Sequence, residues 1–82
     1  MYSVEFSETA EKEFNKLEEN VQFRVVNVME RIRIRPYHFI KRKEGTSYFI
    51  ARIGGHRAIL SIDDVRKTIF VLEVGHRKNI YD

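Results

Sequence analysis

The sequence predicts an α+β fold: a strand, a helical hairpin, then three to four strands, with the helices packed on one face of a mostly antiparallel sheet. Three observations carry this. Residues 2–6 alternate apolar and polar side chains, as a half-buried strand does. Residues 7–33 carry apolar side chains at helical spacing in two blocks separated by a short polar break. Everything after Pro36 reads as strands divided by turn residues. Strands clustered after helices, rather than alternating with them, indicate an α+β arrangement. At 82 residues the chain is expected to be one domain, residues 1–82.

In the first strand Tyr2, Val4 and Phe6 point one way, with Ser3 and Glu5 opposite. Ser7 suits a helix N-cap, and Glu8 and Glu11 suit the positive end of the helix dipole. Ala10, Phe14, Leu17 and Val21 make an apolar stripe. Glu18–Asn20 interrupts it, with Asn20 as the expected cap of the second helix. That helix spans about Val21 to Arg33, with Val21, Val25, Val28, Met29 and Ile32 as its core stripe. It cannot run past Arg35, because a residue before proline avoids the α region. Arg31 and Arg33 suit the negative end of its dipole. Residues 36–47 connect, with Phe39–Lys43 as a short edge strand.

The hairpin 48–62 follows. Gly54-Gly55 fits a two-residue type I′ turn. That register places Arg52 opposite Arg57 and Ile53 opposite His56. Phe49, Ala51 and Ile53 then share a core face with Ala58, Leu60 and Ile62, while Arg52 and Arg57 share the other face. Like charges directly opposed are unfavourable, so an anion is the expected counterpart. Residues 63–67 turn, and residues 68–74 form the last strand, with Phe70, Leu72 and Val74 read as its core face. Gly75–Asp82 is a tail.

Composition excludes several classes. With no cysteine there is no disulfide framework, thiol nucleophile or cysteine zinc site. His38, His56 and His76 lack metal-ligand spacing, so no metal or cofactor is expected. No apolar run approaches the roughly 20 residues of a membrane span, and no signal segment opens the chain. A cytoplasmic protein is the expectation. Residues 1–30 hold three basic and seven acidic side chains; residues 31–82 hold twelve basic and five acidic. The second half therefore carries a charge of +7, which points to a polyanionic partner. Lys41-Arg42-Lys43 adds three consecutive cations just before the hairpin.

The pattern Tyr48-x-x-x-Arg52-x-Gly54-x-x-Arg57-Ala58-Ile59, followed by Val71-Leu72-Glu73-Val74-Gly75-His76-Arg77 and a terminal Tyr81, resembles the RelE/ParE toxin superfamily, nearer RelE than ParE. The first strand, the Ser-x-x-Ala start of the first helix and the helical hairpin are similar as well. The resemblance implies a toxin of a type II toxin–antitoxin pair: a ribosome-dependent mRNA endoribonuclease held in check by an acidic antitoxin in a heteromeric complex. It implies that Arg57 stabilises charge on the scissile phosphate. Arg77 is then a second phosphate ligand and candidate proton donor, and Tyr81 stacks on a base. ParE-type relatives share the fold but poison DNA gyrase.

The best-known RelE enzymes carry two lysines on the strand before the hairpin arginine. Here Tyr48–Ile53 has none. The candidates for general base are Lys41, Lys43 and His76. Cleavage by 2′-OH attack needs that base, cations on the nonbridging oxygens and an acid at the leaving oxygen. Arg52, Arg42 and Lys78 are the further candidate RNA contacts. Two other readings remain open: a ParE-like toxin that binds a protein target without cutting RNA, and a basic RNA-binding domain without catalysis.

Overall fold

The computed structural model describes residues 1–76 and Lys78. Strand β1 (Ser3–Phe6) leads into helices α1 (Glu8–Asn15) and α2 (Glu19–Ile34). A 3-10 turn at Pro36–His38 precedes β2 (Ile40–Arg42), β3 (Phe49–Ile53), β4 (His56–Asp63) and β5 (Thr68–His76). The five strands form one sheet in the order β1-β5-β4-β3-β2. All neighbours are antiparallel except β1 and β5, the first and last strands of the chain, which pair in parallel. This is the expected α+β architecture, with four strands after the helices.

Ser7 caps α1 as expected, accepting from the Ala10 N–H at 3.0 Å. Asn20 does not cap α2. The helix begins two residues earlier, at Glu19, with Glu18 in the cap position and no side-chain cap bond. The hairpin is tied instead by Gln22, whose Nε2 donates to the Phe14 carbonyl at 2.9 Å. Val25, Met29 and Ile32 of α2 and Ala10 of α1 are buried against Ala51, Ile53, Ala58, Leu60, Ile69, Val71 and Val74 of the sheet. Truncating a fully buried member such as Leu60 to alanine costs about 2–5 kcal/mol.

The far end of the sheet is closed by a polar clamp. Tyr2 and Tyr37 each donate a hydroxyl hydrogen bond of 2.7 Å to the Asp64 carboxylate. The Tyr37 bond, then the Tyr2 bond, hold the Asp64 acid below its ordinary range. The bond to Asp64 pushes the Tyr37 hydroxyl up to about 12.

The last strand departs from the sequence reading. Of the expected core face Phe70, Leu72 and Val74, only Val74 lies under the helices; Ile69 and Val71 take the places expected for Phe70 and Leu72. The cause is a β-bulge. Ile59 pairs with Glu73 but Leu60 pairs with Val71, so Leu72 is an extra residue that shifts the alternation by one. Phe70 therefore lies opposite Ser61 on the face away from the helices. Helix α1 satisfies the backbone that the bulge leaves out of the ladder. Ser7 Oγ donates to the Leu72 carbonyl at 2.9 Å, and the Glu13 carboxylate accepts from the Val74 N–H at 3.0 Å.

The hairpin register is the expected one, Arg52 opposite Arg57 and Ile53 opposite His56. The turn type differs. Gly54 has φ +59° while Gly55 lies outside the left-handed region, which is the pattern of type II′ rather than type I′. Only the first glycine is conformationally required. A Cβ at Gly54 would also stand 3.3 Å from Arg24 Nη1, whereas one at Gly55 would meet only His76 Nε2 at 3.7 Å. Gly54→Ala is expected to destabilise the protein by about 1–2 kcal/mol in urea denaturation, and Gly55→Ala by far less. Equal losses would contradict this turn assignment.

Candidate functional site

Alternation along β3 and β4 turns Ile50, Arg52, Arg57 and Ile59 to the face away from the helices. Arg52 and Arg57 are direct neighbours in one cross-strand row, and the next strand contributes Gly75 to that row. Glycine has no side chain, so β5 leaves room beside Arg57. Arg57 is half-buried with its Nε out of solvent; Arg52 is exposed. Below them Ile50 and Ile59 form an apolar floor, 1% and 6% exposed, flanked by Lys41 on β2 and Glu73 on β5. A phosphate would meet fixed guanidinium charge over a dry floor, where electrostatic contacts are stronger than in open water.

The structure separates the three candidates for the base. Lys41 pairs with Ile50 and so shares the face of Arg52 and Arg57. It lies two residues along the strand from their row, about 7 Å. Lys43 sits beyond the end of β2, its N–H bonded to the Tyr48 carbonyl at 2.9 Å. Tyr48 is four positions from Arg52, so Lys43 is about 13 Å down the strand. His76 was placed in the tail but is the last residue of β5, paired with His56. The bulge phase turns both rings to the helix side, 5.3 Å apart, and Arg57 is on the other side. His76 therefore does not stand beside the arginine row.

Arg42 also falls on the helix side, paired with Phe49. Its guanidinium covers the Phe49 ring at 5.1 Å and donates to the Thr46 carbonyl at 3.3 Å. It is set apart from the arginine row by the thickness of the sheet. Lys78 is exposed, and its N–H donates to His76 Nδ1 at 3.2 Å. Arg77 and Tyr81, the other expected contributors, lie outside the described residues.

Sequence reading missed the surroundings of the hairpin tip. Arg24, from the second turn of α2, reaches Gly54, close enough for its charge to act on His56. Burial, then the neighbouring His76 and Arg24 charges, hold the His56 imidazole below its ordinary 6.5, with Glu18 opposing them. A depressed folded value means that the unfolded chain takes up this proton first on acidification. The contribution of neutral His56 is thus complete above 6.5 and is lost as pH falls toward the folded value. The wild type is expected to lose more stability than His56→Gln between about pH 7.5 and about pH 5.5, measured by urea denaturation. Identical losses would mean that His56 does not carry this term.

Comparison with known proteins accords with this geometry. Residues 4–81 match the model of the family described as the ParE toxin of the type II toxin–antitoxin system, parDE. The chain is 33% identical to Toxin RelG of Mycobacterium tuberculosis over 87 aligned positions, covering 98% of this chain and 95% of that one. Among solved structures it is similar to the toxin–antitoxin complex RelBE2 of M. tuberculosis, with a TM-score of 0.83 and 33% identity over 93% of this chain and 98% of that chain. It also superposes on the isolated Escherichia coli RelE toxin with a TM-score of 0.82, covering 93% of this chain and 84% of that chain; at 23% identity this is a likeness of fold. A five-stranded sheet under a helical hairpin, with the hairpin arginines on its far face and a family match over nearly the whole length, places the chain in the RelE/ParE family of type II toxin–antitoxin toxins.

Proposed function

We propose that this toxin is a ribosome-dependent mRNA endoribonuclease that cleaves by 2′-OH attack on the scissile phosphate and so inhibits translation. The observation that carries the reading is the Arg52–Arg57 row with Lys41 on the same face of the sheet. Arg57 stabilises the charge that develops on the phosphate oxygens. Arg77 is the second phosphate ligand and Tyr81 stacks on the neighbouring base. Lys41 is the general base that takes the 2′-OH proton; the P–O5′ bond breaks to leave a 2′,3′-cyclic phosphate, and the departing 5′-oxygen takes its proton from solvent water. Arg52 and Lys78 hold flanking RNA. Arginine stays protonated at all relevant pH, so it supplies charge rather than proton transfer. Fixed guanidinium charge does here what a metal would otherwise do, and no cofactor is invoked.

The toxin works in the cytoplasm and is held inactive by an acidic cognate antitoxin in a heteromeric complex. The solved relatives that are complexes with RelB antitoxins support this partner. A groove of about 430 Å³ between β1 and α2, lined by apolar Val4, Phe6, Val26 and Met29 and by polar Ser3, Glu30 and Arg33, suits an amphipathic segment of it.

The test is expression of this chain alone and together with its cognate antitoxin. Alone, it is expected to arrest growth and leave cuts in translating mRNA, read by primer extension; with the partner, both disappear. Equal growth in the two cases, with the protein made in both, would defeat the toxin mechanism. One observation favours a second reading: β3 carries no lysine. Growth arrest without any cut would therefore assign the chain to ParE-like binding of a protein target such as DNA gyrase.

A further inference from the structure

The geometry points to a second RNA-binding site, a basic cleft between α2 and the hairpin end of β3 that holds the phosphodiester backbone of the same RNA strand as the Arg57 face. We infer this from the lining and the placement of the cleft. It measures about 330 Å³ and is lined by Arg24, Asn27 and Arg31 of α2 together with Arg52, Ile53 and Gly54 at the hairpin. Positions 24, 27, 28 and 31 recur at helical spacing, so they share one face of α2. On the sheet side the β2–β3 pairing ends at Ala51, so Arg52 and Ile53 lie on β3 beyond the end of β2.

Three guanidinium groups line this cleft, and no carboxylate lines it among the described residues. Helix electrostatics account for Arg31, which is in the last turn of α2. They do not account for Arg24, which lies toward the positive end of the helix. Its guanidinium is set against the backbone of Gly54, 3.3 Å from where a Cβ would be. An arginine positioned there beside two others is arranged for an anion with several acceptor oxygens.

Arg52 links the cleft to the arginine row. It lines the cleft, pairs with Arg57, and also lines an adjacent hollow with Lys41 and Ile50 on the face away from the helices. Positive charge thus runs from the proposed phosphate site around the edge of β3 to α2. A flexible RNA strand can follow such a path, its successive phosphates meeting successive cations. An amphipathic antitoxin segment fits less well, because among the described residues Val28 and Ile53 are the only apolar side chains lining the cleft. The inference rests on RNA being the substrate class proposed above, but it does not require that cleavage occur.

The test uses the full chain and the double variant Arg24→Gln/Arg31→Gln. Both positions are exposed and glutamine keeps helix propensity close to that of arginine, so thermal melts should coincide. The probe is a single-stranded 2′-O-methyl RNA oligonucleotide, which lacks the attacking hydroxyl and cannot be cut. Loss of two phosphate contacts is expected to lower the slope of log K against log salt by about 1.4, at about 0.7 per contact on a single strand. On ribosome-bound mRNA the variant should show a raised KM and an unchanged kcat.

An unchanged salt slope in a folded variant would overturn the site. So would unchanged RNA binding with weakened binding of the acidic antitoxin, which would give the cleft to that partner. A reduced slope on an RNA duplex but not on the single strand would overturn assignment to the substrate strand. If the wild type binds the probe with the steeper slope yet never cuts mRNA, the nuclease reading fails and the cleft stands. If the wild type cuts and the slopes are equal, the cleft fails alone.

Discussion

Arg57→Ala is expected to reduce cleavage of ribosome-bound mRNA by at least ~10²-fold, the scale of losing one preorganised contact to transition-state charge. The site geometry explains why no neighbour replaces it. Arg57 is half-buried, flanked in its row by Arg52 and by Gly75, which brings no side chain. Arg52 is exposed and nearer the edge of the sheet, so Arg52→Ala should cost less. Arg77→Ala is expected to match Arg57→Ala if the two hold one phosphate. Because Arg57 is half-buried, alanine also removes some packing of its aliphatic stem. Thermal melts and an Arg57→Lys variant separate the effects. Lysine keeps the charge and most of the stem but not the planar fork, so Arg57→Lys should fold like the wild type and still cut poorly. The readout is primer extension on translating mRNA. Equal cutting by wild type and both arginine variants would place the chemistry elsewhere.

Cross-strand pairing shows what the sequence could specify. In β3 and β4 one face is apolar throughout and the turn is two residues long, so a single register packs Phe49, Ala51, Ile53, Ala58 and Leu60 together. Arg52 and Arg57 follow onto the opposite face without further information. In β5 the same rule fails at Leu72. Nothing near Leu72 announces a bulge. It is stabilised by Ser7 and Glu13, more than 55 residues away in the chain, which bond the Leu72 carbonyl and the Val74 N–H. Local alternation cannot register that contact. The Gly54-Gly55 pair permits either primed turn, and Arg24 approaching Gly54 is a tertiary fact. The basic cleft escaped for the same reason: Arg24 and Arg31 read as ordinary helix-surface charges until α2 is laid against the edge of β3.

That bulge also bears on the proposed general base, through which the second large effect is expected. Lys41→Ala should lower the rate by ~10²-fold or more at saturating substrate, within the 10²–10⁴ range of general acid–base catalysis. Lys43→Ala and His76→Ala should each change it by far less. The sequence offered all three as equals. Strand pairing ranks them: Lys41 opposite Ile50, on the arginine face and about 7 Å along the strand from the arginine row; Lys43 about 13 Å away. His76 is carried to the helix side by the extra residue at Leu72. A lysine side chain with four methylenes can cover the shorter distance. Lys41 is exposed and its removal leaves no cavity, so stability should be unaffected. The distinguishing measurement is the pH profile of single-turnover cleavage. If Lys41 accepts the 2′-OH proton, the wild-type rate rises with pH until the amine is neutral, and Lys41→Ala flattens that limb. A pH profile that keeps its basic limb in Lys41→Ala and loses it in His76→Ala would transfer the role to the histidine. It would also require that β5 release His76 from His56 when RNA binds.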